Sequence, residues 1–289
     1  MNWSILLAQA TVNGLIIGLL YLLMAVGFTL VFGVMRTVNF AHGEFYMLGT
    51  FGAYFLTTQA HLPFLAAVAV TFLAAVAAGA ILEMGILKPF RRDELNGMIV
   101  TIGLGIVLQN LALMFFGPDP LSIPAIAKGA FRLGKIVIPN SRIYVVVFAL
   151  IVLALLYAFL RHSRPGRALR AVVEDFEIAS IQGIRARIYY PLGFGIGVGL
   201  AAVAGALMAP LFSVSAFSGA TPLLKAFIVV VLGGLGSIPG AVVAALSLGV
   251  VESYASLMIG GSAADMLIFI IVITMLVFRP RGLLGKGEA

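Results

Sequence analysis

Four stretches carry the residues that could do chemistry. The longest polar one runs from Arg161 to Arg187, RHSRPGRALRAVVEDFEIASIQGIRAR. Within it Leu169, Val172, Val173 and Phe176 recur at helical spacing and make one apolar stripe. Asp175 can N-cap a second short helix and Gly183 can end it, so two short amphipathic helices should meet near Glu174 and Asp175. Such a stripe needs a cover: either a docking partner or the membrane ends of the chain's own bundle. The second stretch, VNFAHGEFYMLG at 38–49, breaks apolar sequence with Asn39, His42 and Glu44 around Gly43. Polar groups in or beside a membrane span face protein or a wet cavity. The segment is therefore a helix break lining a path for a polar solute, or a tight cytosolic turn with a satisfied histidine.

The third stretch, GGLGSIPG at 233–240, is a near miss of the dinucleotide fingerprint, because the glycine after Gly234 and Gly236 comes one residue late. Glycines and a proline here better suit the end of a short helix and close backbone approach. Gly193, Gly195, Gly197 and Gly199 are expected to form a close-packing helix face. Three late charges complete the set: Lys225, Glu252 and Asp265, placed near the external ends of their helices as an ion-paired rim, as contacts for an external partner or as snorkelling side chains. No phosphate loop, nucleophile elbow or HExxH motif occurs, and one His beside one Glu is no metal set, so neither bound cofactor nor enzymatic activity is expected in this chain.

The elements that must position these residues follow from composition. Of 289 residues 62% are hydrophobic and only 10% charged, beyond what a soluble core can bury. Soluble enzyme, disordered chain and nucleic-acid module are poor readings; an integral membrane protein is the good one. Continuous apolar runs without period-2 alternation select helices over barrel strands. Their lengths give spans at about 8–35, 44–59, 62–87, 96–116, 142–160, 188–210, 222–235, 239–258 and 262–279. That is an all-α polytopic fold of eight or nine transmembrane helices, one short or broken, in a single domain over 1–289. The segment 161–187 is a cytosolic loop within it. Segment 119–141, punctuated by Pro and Gly, reads as a hairpin or cap.

The net charge of +7 lies in short loops and so reports orientation rather than nucleic-acid binding. Arg36, the loops at 88–94 and 161–187, and the tail from 279 hold thirteen of the 18 basic residues. This places the C-terminus in the cytosol and, with an odd span count, the N-terminus outside. No cleavable leader is expected, since no basic region precedes the apolar run from Trp3, and zero Cys excludes disulfides and thiolate metal sites.

Four runs together resemble one family: LMAVGFTLVFGVMRTVNFAHGEFYMLG at 23–49, PGRALRAVVEDFEIASIQGI at 165–184, VVVLGGLGSIPGAVV at 229–243 and FRPRGLLG at 278–285. It is the LivH-type permease of branched-chain amino-acid ABC importers, with a fold of the LivH and ribose-permease type. The resemblance implies a LivM-like second permease, two cytosolic ATPases that hold ATP and Mg, an external substrate-binding protein, and a bacterial or archaeal inner membrane. It also implies ATPase coupling through Gly166, Arg167, Arg170, Glu174, Asp175, Ala179 and Gly183. A translocation path near Asn39, His42, Gly43, Glu44, Gly233 and Gly234 is implied as well. Related permeases carry urea, short amides and small organic or aromatic acids. The rival class is a secondary transporter or channel. It is disfavoured because the spans show almost no ionisable residue at mid-membrane, although 23–54 and 223–254 share a weak pattern of apolar run, Gly-rich break and apolar run. A purely structural membrane subunit would leave the long amphipathic loop unexplained.

Overall fold

A computed structural model describes residues 3–91, 93–234, 236–279 and 282–283. Arg92, Arg281, Lys286 and half of the 278–285 run lie outside the described residues. The apolar runs form helices because a backbone in lipid must satisfy its own hydrogen bonds. α1 spans Trp3–Met35, α2 His42–Tyr54, α3 Phe64–Leu82 and α4 Glu94–Phe116. Strands β1 Ala130–Leu133 and β2 Ile136–Pro139 precede α5 at Asn140–His162. Next come α6 Arg164–Glu174, α7 Phe176–Ile181, α8 Ala186–Met208, α9 Ala220–Gly233, α10 Ile238–Ile259 and α11 Gly261–Phe278. α2 and α3 each continue into a π-helical turn, at Phe55–Gln59 and Glu83–Leu87. Six of these helices are long and apolar enough to cross a membrane, and α9 and α11 are shorter apolar helices.

The expected spans and the structure agree closely, with one difference. α1 starts at Trp3 rather than near residue 8. Segment 119–141 does contain the expected hairpin, an antiparallel pair with Leu133 opposite Ile136 and Gly134 at φ 62 in the turn. It caps the start of α1: the Gln9 amide donates to the Val137 carbonyl at 3.1 Å and accepts from the Val137 N–H at 3.0 Å. That exchange gives α1 a polar anchor at the hairpin face. The opposite face carries α6 and α7.

At the start of α4 Asp93 is the N-cap, accepting from the Asn96 backbone N–H at 3.1 Å. That bond, with one from the Asn96 side chain, holds its carboxyl below the usual carboxylate range. A depressed folded-state pKa means stabilisation present at neutral pH and lost as pH falls through that value. Asp93→Ala should therefore lower the melting temperature at pH 7 and differ less from the parent near pH 3. A gap independent of pH would contradict the assignment.

α8 is the centre of the bundle. Its four glycines do not form one face, as expected from sequence, but two. Gly193 and Gly197 face α1, where added Cβ atoms would lie 2.6 and 2.4 Å from Val34 and Val31 methyls. Gly195 and Gly199 face α3, at 2.6 Å from the Val76 carbonyl and 2.7 Å from a Val76 methyl. Residues two apart on a helix point to opposite sides, so four alternate glycines let two neighbours approach closely instead of one.

The same motif occurs twice in opposite directions. α1 runs from the hairpin face to the α6 face, the chain turns back through 36–41, and the shorter α2 follows. α8 runs antiparallel to α1, the chain turns back through 209–219, and the shorter α9 follows. The contacts between the copies are reciprocal. A Cβ on Gly27 would sit 2.6 Å from the Gly197 oxygen and one on Gly197 2.7 Å from the Gly27 oxygen. Gly43 and Gly219 mirror each other likewise, at 2.7 and 2.1 Å. This is the inverted-repeat design of many transporters. The weak likeness of 23–54 to 223–254 thus joined the wrong partners: α1–α2 matches α8–α9, not α9–α10.

Candidate functional site

The break at 36–41 is not a surface turn. Arg36, at φ 57, leaves α1 and donates to the carbonyls of Val173 at 3.0 Å and Glu174 at 3.3 Å, at the end of α6. From there the chain climbs along α4, with the Phe40 N–H on the Thr101 hydroxyl at 3.1 Å and Ala41 beside Gly105. Gly105 lies eleven residues into α4, about 16 Å at the helical rise. His42 opens α2 at this depth. It is fully buried, Nε2 lies 3.3 Å from the Met24 carbonyl oxygen, and the ring meets Phe28 edge-on. Asn39 Oδ1 accepts from the Ala41 N–H at 3.1 Å, closing the turn before α2. Irregular backbone at membrane depth is tolerated only where it is buried in protein or lines a cavity.

Asn39, His42, Gly43 and Glu44 are thus brought together, and Asn39 Nδ2, His42 Nδ1 and Glu44 Oε2 are buried with no hydrogen-bond partner among the described residues. Gly43 touches Gly219, so α9 also begins deep in the bundle. Gly233 and Gly234 do not join this group. They end α9 at the α6 face, where Gly233 packs on the Gly240 backbone and Gly234, at φ 97, on Gly282; the Leu283 N–H donates to the Leu232 carbonyl at 2.7 Å.

The segment 161–187 folds into the two expected short helices. Ser163 caps α6 through the Gly166 N–H, and Gly166 is buried where a Cβ would meet the Phe159 carbonyl at 2.1 Å. Asp175 caps α7 through the Ile178 N–H at 2.9 Å, and Gly183, at φ 83, ends it. Leu169 and Val172 are buried, Leu169 against Gly193, and Val173 packs on Gly33. Leu169, Val172 and Val173 of the apolar stripe therefore cover the chain's own bundle, as does Ala179 on α7. What faces outward is Arg167, Arg170, Glu174 and Asp175, then Phe176, Ile178 and Ile181, the last 86% exposed. Phe176 also touches Tyr190, and Arg91 stacks on that ring at 4.4 Å while pairing with the buried Glu83. The sequence reading missed this relay from α7 to α3. Its only signal was a lone Glu closing an apolar run eight residues before an Arg.

The late charges do form an ion-paired cluster, with Lys225 buried at its centre and Asp265 exposed at its edge. Lys225 is only 3% exposed and lies 2.6 Å from Asp265 and 3.1 Å from Glu252. Glu252 in turn accepts from the Tyr21 hydroxyl at 3.1 Å. Neither snorkelling nor an exposed rim describes Lys225. His42, Glu44, Lys225 and Glu252 are packed within the bundle, so ionisable groups are not confined to its loops. Among the described residues no group of three His, Cys, Asp or Glu could hold a metal.

Inverted helical repeats, half-length helices starting deep in the bundle and a structured loop on one face define a polytopic transport permease. The chain belongs to the family described as branched-chain amino acid transport system, permease component, which it matches over residues 10–277. It is 37% identical to the high-affinity branched-chain amino acid transport system permease protein BraD of Pseudomonas aeruginosa, over 97% of this chain and 96% of that one. It is 35% identical to the permease LivH of Escherichia coli over the same shares of both chains. To LivM of Escherichia coli it is 28% identical, over 98% of this chain and 72% of the other. No solved structure matches.

Proposed function

We propose that this chain is one of two permease subunits of an ATP-driven importer that moves branched-chain or related hydrophobic amino acids across the bacterial inner membrane. Its partners in this reading are a LivM-like permease, two cytosolic ATPases that bind ATP and Mg, and an external substrate-binding protein. The C-terminus and the α6–α7 face lie in the cytosol, and the N-terminus and the hairpin face outside. The observation that carries the reading is the near full-length likeness to permeases named for branched-chain amino acids. In the mechanism, closure of the ATPases moves α6 and α7. Arg36 and the Gly33–Val173 contact join α6 to the end of α1, and Phe176, Tyr190 and Arg91 join α7 to α3. The helices then rock between outward-open and inward-open states according to which ligand each state favours.

The buried ionisable cluster keeps one rival in view, a carrier driven by an ion gradient. The assembled transporter in proteoliposomes should concentrate L-leucine only when ATP is enclosed with the ATPases. The chain reconstituted alone should concentrate nothing under a sodium or proton gradient. Concentrative uptake by the lone chain would establish the carrier instead.

The break has its own test. His42→Ala and Glu44→Gln should slow leucine uptake several-fold while the four-subunit assembly still purifies intact. Uptake at the parent rate in both variants would reduce the break to packing.

A further inference from the structure

A cleft of about 420 Å³ lies between α1, α2, the 209–219 connection, the start of α9 and α10, within the size range of small-molecule sites. Its walls differ chemically from end to end. At one end stands Glu252, whose Oε1 accepts from Tyr21. Lys225 sits closer to Asp265, at 2.6 Å, than to Glu252 Oε2, at 3.1 Å. Two carboxylates share one ammonium, so the cluster keeps a net negative charge; Glu252 Oε2 is buried against Lys225 at 3.1 Å, which leaves Oε1, beside the Tyr21 hydroxyl, as the acceptor a ligand could use. This end can take a further cation with N–H donors.

The other end is made of hydroxyls. Ser213, Ser215, Ser218 and Thr221 line it, with Ser215 and Ser218 Oγ 3.2 Å apart. They surround the first turn of α9, where the helix dipole presents its positive end. Glu252 is the one acid among the lining residues, so this end suits an anion. Ile17, Met208 and Phe212 supply apolar wall. A cation site, an anion site and an apolar strip in one cleft match a zwitterion with a hydrophobic side chain.

We infer that this cleft is a substrate site within the permease itself, for an α-amino acid with an apolar side chain. The ammonium lies on Glu252, the carboxylate on the hydroxyls at the start of α9, and the side chain along Ile17, Met208 and Phe212. The assignment rests on the amino-acid reading above. It adds a recognition step inside the membrane, beyond that of the external binding protein.

The test uses the full chain in lipid nanodiscs and follows its melting with millimolar L-leucine, isoamylamine (the ammonium without the carboxylate) and 4-methylpentanoate (the carboxylate without the ammonium). L-Leucine should stabilise more than either analogue. Glu252→Gln leaves Lys225 paired with Asp265 and should weaken leucine binding about tenfold, the loss of one charge-assisted hydrogen bond. It should also bring leucine level with 4-methylpentanoate, which a merely structural residue would not do. Thr221→Val, at an exposed position, should weaken leucine and 4-methylpentanoate but not isoamylamine, and it serves if Glu252→Gln does not fold. Stabilisation by leucine that is absent in the parent chain, or unchanged in both variants, would overturn the site. If the assembled transporter still imports leucine in that case, the site fails and the function stands. If it imports no amino acid at all, the functional reading has failed separately.

Discussion

Replacing Lys225 with Met should destabilise the protein by about 3 kcal/mol, the lower end of the cost of breaking a buried ion pair. The side chain volumes are similar, so packing is a small part of the effect. The cost arises because Glu252, 17% exposed, and Asp265, 47% exposed, are left facing each other with no cation between them. Asp265 reaches water and keeps part of its solvation, which is why the lower end of the range applies. Tyr21 still donates to Glu252 but supplies no charge. The second step of the test is a rescue. Adding Asp265→Asn to Lys225→Met should recover part of the loss, because one unpaired carboxylate costs less than two. Melting of the purified chain in nanodiscs gives both values. A Lys225→Met chain as stable as the parent would show that the cluster does not hold α9, α10 and α11 together.

The contrast between that cluster and the spans shows what a sequence can disclose here. Span positions were legible because lipid imposes a continuous apolar run of a fixed length on every helix, and a charge or Pro–Gly group ends each run. The two short helices at 164–181 were legible for local reasons, since Asp175 and Gly183 act within a few residues of themselves. The depth of His42 was not. Arg36 fixed one end of the break near the α6 face, but the climb along α4 depends on Thr101 and Gly105, sixty residues away. The 209–219 connection was missed for a similar reason. Gly219 meets Gly43 deep in the bundle because the two repeats face each other, a contact that nothing local to either glycine discloses. Lys225, Glu252 and Asp265 come from three helices, and no spacing along one chain discloses that they converge.

Replacing Ile181 with Asp should abolish co-purification of the ATPase subunits and with it leucine-stimulated ATP hydrolysis, while the permease pair still assembles. Ile181 is 86% exposed at the end of α7, so an added charge there meets water in the isolated chain and costs the fold little. In a docked interface the same residue would be a buried apolar anchor, and a carboxylate in its place would be desolvated without a partner. Leu169→Asp is the control for the other face of the segment. Leu169 is fully buried against α8 beside Gly193, so its replacement should melt α6 off the bundle and lower the melting temperature of the chain itself. The two variants therefore separate what the segment leans on from what leans on the segment. Loss of the ATPases in both, with lost stability only in Leu169→Asp, is the expected pattern. ATPases retained at parent stoichiometry in Ile181→Asp would move the docking surface away from α7, and the charged outer face of α6, with Arg167, Arg170 and Glu174, would be the next place to look. The relay makes a finer prediction on the same assay. Arg91→Gln removes the contact from Tyr190 to Glu83 without touching the outward face, so ATPases should stay bound while hydrolysis no longer responds to leucine. Binding without response is the signature of a docked motor whose stroke does not reach α3.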